Sequence, residues 1–191
     1  MHDTDNTSAN TVQKPQTNRS AIKPAVRIQE MVLFSMLGTL MFCSKIIMEL
    51  LPNIHLLGMF TMVYTLVFRK KALYPIYIYV FLNGLFAGFA AWCIPYLYLW
   101  TILWFVTMLL PQNMKRTTAC IVYPLVCCLF GFCYGTLYAP AQALLFGMSF
   151  KGMCAWIVAG LPFDFLHGIG NLCAGLLIVP LTALLKKLVK H

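Results

Sequence analysis

From Met31 onward the sequence runs in long apolar stretches divided by short polar or basic breaks, whereas residues 1–29 hold almost no large apolar groups. Stretches of this length without strand-like alternation predict helices. Six follow one another: about Met31–Leu51, His55–Phe68, Ala72–Cys93, Tyr96–Leu110, Thr117–Tyr138 and Met153–Leu185. Pro52-Asn53, Arg69-Lys70-Lys71, Pro95 and Pro111-Gln112-Asn113 punctuate them. A bilayer core of about 30 Å requires about 20 helical residues. The second and fourth stretches are shorter, so they draw in flanking residues or lie in a protein-lined region. The sixth is long, and Gly160 and Pro162 predict a break in it. Between the fifth and sixth, Ala139–Gly147 reads as a hydrophobic lid loop or an interfacial helix.

Composition confirms the solvent. Of 191 residues, 61% are hydrophobic and 10% charged, against about 45–50% and about 25% in soluble domains. Such a chain cannot bury its apolar surface in water. The expected fold is an all-α integral membrane protein. Residues 1–29 form a disordered polar tail, without the apolar core of a secretory signal, and residues 30–191 form a six-helix membrane domain.

The net charge of +9 then marks topology and not a nucleic-acid partner. Lys14, Arg19, Lys23 and Arg27 precede the first stretch; Arg69–Lys71, Lys115-Arg116 and Lys186, Lys187 and Lys190 occupy alternate breaks. Positive residues on one side place both termini in the cytoplasm, with six transmembrane helices. Only Lys151 falls on the outer side. Trp92, Tyr96, Tyr98 and Trp100 sit where an outer aromatic belt belongs. Eight cysteines include no CxxC pair, and they read as small apolar filler.

Polar groups inside apolar stretches are costly, so each is a candidate site. Asp164, His167 and Asn171 recur at i, i+3 and i+7, bringing them to one helix face beside Gly160, Gly168 and Gly175. That face lines a cavity, or an Asp164–His167 pair pins helix packing. Lys45 and Glu49 form an i, i+4 pair that neutralises itself or reaches a polar ligand below the Pro52–His55 loop. Asn83 bonds across helices or lines a pocket. Gln142 lies in the outer loop, and His55 reads as interfacial. Among the tyrosines and tryptophans, one or two are candidates to stack on a flat ring. Ser35, Thr39 and Cys43 recur every four residues and allow close helix contact.

There is no GxxxxGK[ST], HExxH or GxSxG, and no internal repeat. ATP hydrolysis by this chain is therefore not expected, nor is a resident cofactor or metal. Besides transport, two functions fit the residues: a small intramembrane enzyme using Asp164 and His167, and an accessory assembly subunit.

The run LLPNIHLLGMFTMVYTLVFRKKALYPIYIYVFLNGLF, then GTLYAPAQALLFG followed by KGMCAWIVAGLPFDFLHGIGN, together with length and span count, resembles the substrate-binding S components of energy-coupling-factor (ECF) transporters. The likeness covers about Glu30 to Lys187. It implies a multi-pass protein of a prokaryotic cell membrane that binds a small vitamin-like or heterocyclic solute. It also implies partners, a transmembrane coupling subunit and two cytoplasmic ATPases. The family's pocket positions correspond to Asn53, His55, Gln142, Asp164, His167 and Asn171. Its small-residue docking motif corresponds to Ser35–Thr39, with Cys43 following.

Overall fold

The computed structural model describes residues 23–50 and 55–189, and no strand occurs among them. The helices are α1 (Lys23–Met48), α2 (Leu57–Phe68), α3 (Leu73–Ala87), α4 (Cys93–Leu109), α5 (Arg116–Phe132), α6 (Tyr134–Phe146), α7 (Phe150–Gly175) and α8 (Ile178–Val189), with a 3₁₀ turn at Arg69–Ala72. Three helical stretches are long and apolar enough to cross a membrane: Ile28–Met48, Arg116–Phe146 and Phe150–Gly175. Large apolar side chains such as Met36, Leu40, Phe81, Leu129 and Phe163 face outward. This arrangement is compatible with a bundle embedded in a bilayer.

Three boundaries depart from the sequence-based expectation. Helix α1 starts at Lys23, so residues 23–29 are helical and not part of a tail; residues 1–22 lie outside the description. The Ala139–Gly147 segment, read as a lid loop or an interfacial helix, is helical as far as Phe146 and forms most of α6, which begins at Tyr134. The last stretch runs unbroken through Gly160 and Pro162 and divides at Leu176-Leu177 instead. Pro180 explains that position. It has no N–H for the Leu176 carbonyl, and its ring crowds that carbonyl. Proline within membrane helices is otherwise tolerated where neighbouring helices hold the chain.

The short second stretch has a plain physical reason. Helix α2 is central, with Leu57–Met59 and Thr61–Leu66 all buried. It packs against α1, α3, α4, α5, α7 and α8. A helix sheathed in protein has no hydrocarbon thickness to match. Its position is fixed by Tyr64, whose hydroxyl donates to the Leu37 carbonyl of α1 at 2.9 Å. Arg69 ends α2 at φ +55°, a conformation unfavourable for a side chain with Cβ. It is held from both directions: its guanidinium donates to the Met108 carbonyl at 2.9 Å, and Trp104 Nε1 donates to its own carbonyl at 3.0 Å. Helix α4 stops at the residue pair Leu110-Pro111, with Leu110 extended as a pre-proline residue must be. Ser149 caps α7 by accepting from the Gly152 amide.

The most extensive helix contact is between α5 and α7. A Cβ placed on Gly131 would lie 2.7 Å from the His167 carbonyl and 2.8 Å from Gly168 Cα. One on Gly175 would lie 2.7 Å from Pro124 Cα. Gly160, by contrast, faces open space. Gly131→Val is expected to lower unfolding stability by roughly 1–3 kcal/mol through overpacking, while Gly160→Ala leaves it unchanged or slightly higher. Thermal unfolding of the two variants in detergent reads the difference directly.

Candidate functional site

At the end of the bundle formed by the close of α1 and the start of α2, side chains from six places converge on one chamber. Lys45 comes from α1, His55 from the segment before α2, Asn83 and Ala87 from α3. Trp92 and Tyr96 come from the start of α4, Tyr134 and Tyr138 from α6, and His167 from α7. The chamber measures about 290 Å³. Larger grooves lie on the outer faces of α1 and α3, but apolar side chains supply most of their walls. A small chamber with many polar tips is the better recognition site, because oriented polar groups confer specificity.

Its walls are packed rings. His167 lies against Tyr134 with centroids 4.7 Å apart and planes 19° apart. His55 and His167 are 4.4 Å apart, centre to centre, and Trp92 meets Tyr96 edge-on at 5.3 Å. Asn83 is 2% exposed, and its Oδ1 accepts no hydrogen bond. Tyr79 and Trp100 hold a buried OH and Nε1 without partners, but neither lines the chamber. Leaving the Asn83 oxygen unpaired is costly, so an occupant that donates to it is favoured. Lys45 lines the chamber while its ammonium bonds Glu49. His55 lies outside the helices; burial, and then the charge of Lys45, holds its pKa below the ordinary histidine value.

The face Asp164–His167–Asn171 is buried, yet its members do different things. Asp164 Oδ1 accepts the Gly135 amide at 2.9 Å. That amide belongs to the first turn of α6, which has no intrahelical acceptor of its own. The carboxylate thus caps α6 from a neighbouring helix, where the helix dipole also favours negative charge. Asn171 is wedged between Gly58 of α2 and Gly131 of α5. Only His167 of the three lines the chamber. Gln142 is half-buried on α6, one turn past Tyr138 on the same face, and outside the lining. His55 lines it, and Asn53 lies outside the described residues. Among those residues no three His, Cys, Asp or Glu side chains are grouped to hold a metal. Ser35, Thr39 and Cys43 are exposed along α1 and share a groove with Leu185 and Leu188 of α8.

The sequence pattern missed the roles of Tyr134 and Tyr138. Their spacing of four, continued by Gln142, marks one helix face, which ending the fifth stretch at Tyr138 divides. No family model matches the chain, and searches of curated proteins and of solved structures return no match.

Removing the α6 cap separates packing from recognition. Asp164→Ala leaves the Gly135 amide without its acceptor and is expected to cost about 1–3 kcal/mol. Asp164→Asn retains an acceptor oxygen and recovers most of that loss. Thermal unfolding of the two variants side by side tests the assignment, which fails if both unfold like the parent chain.

Proposed function

We propose that the chain is the substrate-specific S component of an ECF-type importer, binding a small vitamin-like or heterocyclic solute. The observation that supports it best is the ring-lined chamber with the buried, unpartnered Asn83 Oδ1, at one end of an apolar bundle. The sequence also lacks a phosphate-binding loop, which agrees with energy drawn from a coupling subunit and two ATPases. In this proposal the chain crosses a prokaryotic cell membrane six times, with α2 and α3 as separate crossings and α5–α6 and α7–α8 as one each.

The gathering of basic residues at the end opposite the chamber supports that topology. Lys71 bonds Glu30, Arg69 reaches Met108, and Arg116 and Lys186 line a common cleft. These are the breaks that positive charge assigns to the cytoplasm, so the chamber opens toward the outer side. The exposed Ser35–Thr39–Cys43 face is the partner surface, small enough for close helix contact. The alternative of an intramembrane enzyme would draw on Asp164, whose Oδ1 caps α6 while its Oδ2 is buried without a partner, but His167, not Asp164, lines the chamber.

The test is purification of the full chain from its host membrane in mild detergent, followed by mass spectrometry of released small molecules. A single solute retained by the parent chain is expected. Asn83→Ala and His167→Ala should each weaken retention about tenfold or more, as losing a hydrogen-bonding or stacking partner does. A coupling subunit and two ATPases should co-purify under gentler extraction. Absence of both solute and ATPases would sink the proposal.

A further inference from the structure

The charge and size of the occupant are written in the chamber's lining. We propose that the solute is a small anion, a single aromatic ring bearing a carboxylate, held by Lys45 and the His55–His167 pair with a ring substituent donating to Asn83. This rests on the solute-binding role proposed above and narrows it.

Among the described residues, Lys45 is the one charged side chain in the lining. Its partner Glu49 is outside the lining, with its side chain 52% exposed, against 17% for Lys45. A solute carboxylate can therefore share the ammonium while Glu49 turns to water. The other nearby acid, Asp164, also lies outside the lining and is engaged by the Gly135 amide. An organic cation would meet Lys45 and find no lining carboxylate.

Aromatic walls can also attract cations through their ring faces. Here the stacked imidazole of His167 covers a face of Tyr134, and Trp92 and Tyr96 meet edge to face. The rings offer flat apolar walls against which a planar solute would pack. About 290 Å³ is at the lower limit of small-molecule sites, which run from about 300 to about 1,000 Å³. That volume suits one substituted ring. Asn83 Oδ1, buried and without a donor, calls for an N–H or O–H on that ring.

Proton uptake follows. The groups around His55 are Lys45 from α1, Tyr96 from α4, Tyr134 and Tyr138 from α6 and His167 from α7, with Glu49 beyond Lys45 and Asp164 behind His167. Burial, and then Lys45, hold the His55 pKa below the ordinary histidine value. A carboxylate beside it favours the imidazolium and raises its pKa. Binding then takes up a proton, and affinity strengthens as pH falls through the histidine range.

Titration calorimetry of the full chain in detergent, with 4-aminobenzoate, 4-aminobenzamide and 4-aminobenzylamine as probes, compares anion, neutral and cation on one ring. The carboxylate should bind at least about tenfold tighter than the amide, and the amine weakest. Lys45→Met should erase that preference and Lys45→Arg restore it, with unliganded thermal midpoints checking the fold. His55→Asn should keep the preference but lose the pH dependence. Equal binding of the amide or amine, a pH-independent carboxylate affinity, or no binding of any probe would overturn the inference. A neutral or cationic native solute, released from a chain that still co-purifies with ATPases, would overturn it while leaving the S-component proposal intact. Absence of both solute and ATPases would remove the two together.

Discussion

The structure depends on the backbone contact between α5 and α7. Between helices with apolar surfaces in lipid, solvent exclusion supplies little attraction, and close van der Waals packing must supply it. Gly131 and Gly175 permit that approach, the first against the His167 carbonyl and Gly168, the second against Pro124. Everything that defines the chamber on this side follows from the spacing. Tyr134 can stack on His167, and Asp164 can reach the Gly135 amide, because the two helices approach within the space a side chain would need. A larger residue at Gly131 separates ring from ring and acid from amide together.

The same geometry explains why one polar helical face divides into two jobs. At about 100° per residue, Asp164 and Asn171 differ by only about 20° around α7, and both face the α5–α6 side. His167 is turned about 40–60° from them. That rotation carries it past α5, to Tyr134 and His55. Spacing of i, i+3 and i+7 therefore gives a packing pair and a chamber residue, not three equivalent ligands. Asn171 fits between two glycines, and Asp164 replaces a missing backbone acceptor. Such polar groups are retained in an apolar interior because each satisfies a geometric need that an apolar side chain cannot meet.

Much of this was legible in the sequence. Apolar stretches separated by basic breaks gave the helices, and the polar face on the last stretch pointed to the most closely packed region. What escaped depended on tertiary context. The short α2 looked deficient against bilayer thickness, yet its surroundings are protein. Pro162 looked like a break and Pro180 did not, although the chain divides at the carbonyl that Pro180 leaves unpaired. The cap on α6 was invisible for another reason. Its acceptor, Asp164, is 29 residues away along the chain, and no local pattern announces an acid that caps a neighbouring helix. Without that cap, Tyr134 and Tyr138 read as ordinary aromatics at the end of a span.

Helix α1 joins the chamber to the exterior of the bundle. It carries Lys45 into the lining and Ser35, Thr39 and Cys43 on its exposed face. On its third side it packs against α3, where a Cβ on Gly38 would lie 2.6 Å from Ile78 Cγ2 and 2.9 Å from the Pro75 carbonyl. Helix α3 brings Asn83 to the same chamber. A solute held by both Lys45 and Asn83 would thus bridge two helices whose backbones are already in contact. A partner seated on the outer face of α1 would act on that same pair. Ligand and partner then influence one another only through the difference each makes to α1–α3 packing, and by linkage that difference is the same in both directions. The glycine contact at Gly38 decides how large it is. There the α1 backbone lies against the Ile78 side chain and the Pro75 carbonyl, so a displacement of α1 would be felt by the helix that carries Asn83.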